Sequence, residues 1–161
     1  MKKYFKPILF LFVASALFSA CKKDSAQSNT DKLSGKDWKV TAETISPAID
    51  LFGTGTLVTD LYNQPLVFPD CSKDDFTNFK SAGTYLTDEG ATKCDAADPQ
   101  TIAGTWTWNS DETVLTMTDN TAGSTPTSFT IITNDGTTLS GTSTEVINSI
   151  TYTITVTFKK K

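Results

Sequence analysis

Near the C-terminus of this chain, Ile150, Tyr152, Ile154, Val156 and Phe158 alternate without a break with Ser149, Thr151, Thr153, Thr155 and Thr157. A helix repeats its faces every 3.6 residues and a strand every two. The pattern therefore dictates an antiparallel strand with one buried and one wet face. Threonine suits the wet face, because its β-branch favours extended backbone while its hydroxyl stays hydrated. The same rhythm puts Gly104, Trp106 and Trp108 on one face and Thr105 and Thr107 on the other. Leu115 with Met117, and Phe129 with Ile131, repeat it.

Turn-forming residues divide these runs at short intervals. Ser81-Ala82-Gly83 separates Phe76–Lys80 from Thr84–Asp88, and Asn109-Ser110-Asp111 separates Gly104–Trp108 from Thr113–Thr118. Asn134-Asp135-Gly136 separates Ser128–Thr133 from Thr137–Thr142, and Asp-Gly is a strong hairpin signal. Trp38–Thr44, a strand near Gly55–Tyr62 and the closing 149–158 strand complete the set. Consecutive hairpins make a meander, and about eight strands suffice to close a small barrel without exposed edges. The expected fold is all-β, a single antiparallel up-and-down β-barrel. Pro47, Pro65 and Pro69 make 46–75 the least regular region.

Ahead of this pattern stand a basic start, Lys2, Lys3 and Lys6, and an apolar run from Ile8 to Phe18. The run is shorter than the ~20 residues a spanning helix needs, and fits a secretory signal peptide over 1–20. Ser19-Ala20-Cys21 resembles the lipobox of bacterial lipoproteins. The resemblance implies that Cys21 is the lipid attachment site, that it becomes the first residue of the mature chain, and that the membrane is a partner through this anchor. Lys22, where inner-membrane-retained lipoproteins of some Gram-negative bacteria have Asp, favours the outer membrane, on either its periplasmic or its surface face. Residues 21–32 are polar enough to act as a flexible tether, and 33–161 form the barrel domain.

Charge and missing residue types narrow the chemistry. Removing the signal takes away three of the 14 cationic residues, leaving 11 against 18 acids, a formal charge of −7. So acidic a chain, without a single Arg, is unsuited to nucleic acid. With no His there is no Ser–His or Cys–His nucleophile and no His-based zinc site. No cofactor and no metal is expected, and the chain does not read as an enzyme. Adjacent acids such as Asp74-Asp75, Asp88-Glu89 and Asp111-Glu112 fall in turns and match no EF-hand pattern. With Cys21 lipidated, Cys71 and Cys94 remain as the pair for one disulfide in an exported chain.

The order of motifs from Leu33 onward resembles the lipocalin-like domain family of bacterial envelope lipoproteins. Leu33-Ser-Gly35-Lys-Asp-Trp38 is similar to the lipocalin glycine–tryptophan motif with one extra residue between the two. Cys71-Ser-Lys-Asp-Asp75, then Phe79, Gly83, Tyr85 and Lys93-Cys94, is similar to a cysteine-bounded hairpin of that group, and Gly104-Thr-Trp106 opens the next strand. The resemblance implies a lipocalin-like barrel with one open end.

Trp38, Phe79, Tyr85, Trp106, Trp108 and Phe129 are the aromatics expected inside. They are candidates for binding a small apolar ligand; the plainer reading is that such rings fill a small barrel as core, since both tasks use the same residue types. Two functions follow: a non-enzymatic outer-membrane lipoprotein that binds or carries a small apolar ligand, or an envelope interaction module with a filled barrel that holds a protein or glycan partner through its loops.

Overall fold

The computed structural model describes residues 27–161. The expected signal peptide and Cys21 lie outside the described residues. The elements are α1 (Asn29–Leu33), β1 (Asp37–Ile49), β2 (Val58–Asp60), a 3-10 turn (Asp70–Lys73), β3 (Phe76–Lys80), β4 (Thr84–Asp88), β5 (Thr101–Trp108), β6 (Val114–Asp119), β7 (Thr127–Asn134), β8 (Thr138–Ile147) and β9 (Ile150–Lys160). Every ladder is antiparallel. β1, then β3 through β9, pair in order, and β9 returns to β1, closing an eight-stranded barrel. β2 is an extra ninth strand on the second half of β1.

The alternation seen in the sequence decides which side faces in. Cross-strand partners share a face, and the ladder aligns Phe79 with Tyr85, Tyr85 with Gly104, and Trp106 with Met117. Outside, threonines oppose one another: Thr105 lies across from Thr118, and Thr107 from Thr116. Thr116 Oγ1 and Ser128 Oγ, 2.9 Å apart, continue this hydroxyl ladder.

One end of the barrel is shut. Ser28 and Asp31 form a capping box on α1, and Leu33 at its C-terminal end is fully buried. Five helical residues cannot hold themselves in water, so α1 depends on the barrel. Asn29 N–H donates to Glu112 Oε2 at 3.1 Å, and Asn134 Nδ2 donates to the Asn29 carbonyl at 2.9 Å. The last residues of the polar N-terminal stretch therefore already belong to the domain. Trp38 donates its indole N–H to the Leu33 carbonyl at 2.7 Å. Gly35 makes the tight turn between them at φ 71°, and its N–H bonds the Phe79 carbonyl at 2.8 Å. Leu33, Trp38, Phe79, Tyr85, Trp106, Leu115 and Leu139 form the main core.

Two differences from the sequence reading concern the first strands. The strand expected near Gly55–Tyr62 shortens to Val58–Asp60, while β1 runs on through Pro47 to Ile49, inside the stretch expected to be irregular. Pro47 is tolerated because the β9 ladder ends at Ser46, and β2 pairs with Thr44 and Ile49 on either side of it. The register also shifts between Val40 and Ala42. That bulge flips the inward parity: Trp38 and Val40 face in before it, Glu43 and Ile45 after it. Ile45, Ile49, Leu61 and Tyr152 then form a second, smaller core beyond the barrel proper.

The disulfide expected between Cys71 and Cys94 is formed. It joins the 3-10 turn to the loop between β4 and β5. Asp74 adds a second tie, its Oδ2 accepting from Ala91 N–H at 2.8 Å and Thr92 N–H at 3.1 Å.

Candidate functional site

The end opposite α1 is open. There the inner wall of Met117, Phe129 and Phe158 widens into a cavity of about 220 Å³, rimmed by Thr77, Tyr85, Asp119, Thr125 and Thr127. Below it the barrel tightens to a void of about 10 Å³ among Phe79, Leu115, Leu139 and their neighbours. Such a void is about the least that accommodates one water. The interior is thus solid at the shut end and hollow at the mouth.

A second chamber of about 150 Å³ adjoins the first, for both are lined by Thr77. Its walls are Trp38, Val40, Phe76 and Thr87, with Phe68, Ser72 and Asp75 supplied by the segment before β3. The Cys71–Cys94 disulfide lies in the same segment and fixes it to the neighbouring loop. Thr77 and Thr87 hydroxyls, 3.0 Å apart, hydrogen-bond to each other across β3 and β4.

Tyr85 is the one strongly buried polar side chain at the mouth, and its hydroxyl donates to Asp119 Oδ1. Burial first, and the carboxylate next, hold this phenol well above its ordinary value, so it stays a donor at neutral pH. The ring fits only because Gly104 lies opposite it: a Cβ there would come within 2.2 Å of Tyr85 Cζ. This is a position at which close approach, rather than a turn, requires glycine.

Burial raises two carboxyls, Asp75 and Glu43. Asp75 is pushed up to about 6, chiefly by burial and further by Glu89, Asp74 and Asp88. Glu43, which shares the inner face with Val156, is raised by burial. For Asp75 the folded-state value exceeds the ordinary 3.8. Its protonated form therefore stabilises the fold in full below about pH 4, and this contribution is lost as pH rises through about 6. Asp75→Asn is expected to raise stability at about pH 8 by about 1 kcal/mol after solvent screening of this partly buried group, and to change little at about pH 4. Urea midpoints at the two pH values check this; equal effects at both would show that Asp75 carries no such linkage.

The six aromatics expected inside divide between two tasks. Tyr85 and Phe129 line the mouth cavity, and Phe79 lines the small void beneath it. Trp106 belongs to the shut-end core, its indole N–H donating to the Lys80 and Thr84 carbonyls at 3.0 Å each. Trp108 packs edge-on against it at a centroid distance of 6.2 Å. Trp38 closes the shut end and also borders the second chamber. Sequence reasoning did not single out Met117, Phe158, Asp119, Thr125 or Thr127 as lining residues. The alternation in β6, β7 and β9 carried a signal for Met117, Asp119, Thr127 and Phe158, whereas Thr125 lies in a loop, where no alternation exists.

No family model matches the chain, and no curated protein does. Two solved structures match most of the chain's length at low identity. One is a complex of bovine odorant binding protein with a selenium-containing odorant, at 14% identity over 87% of this chain and 77% of that one, with a TM-score of 0.39. The other is bovine odorant binding protein complexed with its natural ligand, at 16% identity over 86% and 77%, with a TM-score of 0.41. Among the described residues no group of three or more His, Cys, Asp or Glu side chains is placed to hold a metal ion.

Proposed function

We propose that this chain is a lipid-anchored protein of the outer membrane whose barrel receives a small apolar molecule through its open end and performs no reaction on it. The observation that carries the binding reading is the hollow mouth: about 220 Å³ over a floor of Met117, Phe129 and Phe158, above a densely filled shut end. Apolar walls with a few fixed polar groups are what a small-molecule site requires. The anchoring part rests on the basic start, the short apolar run and Ala20-Cys21. A lipid at Cys21 would tether the domain from the side of α1, through the polar residues that precede it.

A neutral, naphthalene-sized fluorophore is expected to bind at one site per chain. Met117→Trp, which adds ring volume to the wall, should weaken it by about tenfold or more. A probe that ignores the wild type, or binds the variant equally well, would contradict ligand carriage. For the anchor, a metabolically supplied fatty acid should label the wild type and not Cys21→Ala.

A second reading has its own support. Phe52, Leu57, Leu66, Val67, Val146, Ile147 and Ile150 are exposed on the loops, strand ends and hairpin tip away from α1. Exposed apolar groups at one end fit a surface for a partner macromolecule. Retention of a partner by Met117→Trp, with the mouth blocked, would favour that reading over carriage.

A further inference from the structure

We infer that the molecule this barrel takes is a small amine: a hydrocarbon body of about eight to ten carbons bearing an ammonium head that settles on Asp119. The inference rests on the carrier reading above and names its ligand class. Size comes first. A dry cavity of about 150 Å³ holds benzene, so about 220 Å³ of mouth holds a body roughly half again as large.

The head group follows from what surrounds that volume. Its floor is apolar, and its polar rim is three threonine hydroxyls, the Tyr85 hydroxyl and the Asp119 carboxyl. Tyr85 is already engaged as donor to Asp119 Oδ1, which fixes the carboxyl at the mouth and leaves Oδ2 as an acceptor. The adjoining chamber repeats the sign with Asp75, one of whose oxygens, Oδ1, is buried without a hydrogen-bond partner. No Lys lines either chamber, and the chain has no Arg or His to do so. Beside the second chamber, and not the mouth, Lys161 Nζ lies 3.9 Å from the centroid of the Phe76 ring. In the mouth a carboxylate ligand would therefore meet the like charge of Asp119 and no cationic lining residue, and like-charge juxtaposition is strongly unfavourable. An ammonium gains a charge-assisted hydrogen bond at Asp119.

The test displaces the neutral fluorophore with octylamine, 1-octanol and octanoate at about pH 7.5, where the amine is charged. Octylamine is expected to compete at least about tenfold better than octanoate, and Asp119→Asn to reduce octylamine competition by about tenfold while changing 1-octanol by less than about threefold. The asparagine keeps a carbonyl oxygen for Tyr85, so the wall stays in place. If octanoate equals or exceeds octylamine, the amine assignment fails while fluorophore and octanol binding still uphold carriage. The assignment to Asp119 also fails if the amine preference survives Asp119→Asn unchanged. If neither the fluorophore nor any of the three competitors binds, carriage fails and the amine goes with it.

Discussion

Trp38→Ala is expected to lower the unfolding free energy by about 4 kcal/mol, the usual range for removing a large buried ring. The indole is 1% exposed and is among the largest fully buried side chains. It meets Leu33, the buried end of α1, and closes the shut end of the barrel. Against a typical domain stability of about 5–15 kcal/mol, such a loss is severe. Trp38→Phe separates packing from hydrogen bonding. It keeps a ring but strands the Leu33 carbonyl, which should cost about 1–2 kcal/mol beyond the lost volume. Urea unfolding followed by near-ultraviolet circular dichroism reads both variants. A Trp38→Ala protein within about 1 kcal/mol of wild type would mean that the shut end contributes little to the fold.

Replacing both Cys71 and Cys94 with serine should lower stability by about 3 kcal/mol, from the entropy regained by a loop of sequence separation 23 in the unfolded chain. The barrel should nevertheless close, because no ladder passes through either cysteine. What loosens is the segment carrying Phe68, Ser72 and Asp75, the outer wall of the second chamber. Asp74 still holds Ala91 and Thr92, so the loss concentrates in local opening rather than in collapse of the domain. Hydrogen exchange should quicken across 70–75 and 89–100 and stay near wild type in β5 and β6. Uniform acceleration throughout would instead make the disulfide part of the global fold.

Local rules made much of the architecture legible. Period two in 149–158 and 104–108, with Asp135-Gly136 and Asn109-Ser110-Asp111 as turns, placed β5, β6, β7 and β9 within a few residues, while β8 runs past the expected Thr142 to Ile147. The Thr41 bulge could not be read in this way: a single added residue flips the inward face, so Glu43 and Ile45 turn inward where an unbroken count from Trp38 would turn them out. Pro47 misled for a related reason. Its missing N–H matters only where the ladder needs a donor, and the ladder partner is set by the distant β9. At the site, the sequence named rings fit for an interior without dividing them. Trp106 and Trp108 look like Tyr85 and Phe129 along the chain, yet they fill the shut end while the latter line the mouth.

By itself the sequence determined an all-β barrel of hairpins, its inward aromatics, and the pairing of Cys71 with Cys94. Each follows from short-range alternation, turn chemistry or a count of thiols. Only the tertiary structure decided which end is filled and which is hollow, that Gly104 makes room for Tyr85, and that Tyr85 and Asp119 meet at the mouth. Those outcomes depend on how side chains from strands far apart in sequence share one enclosed volume, and no local pattern records how that volume is divided.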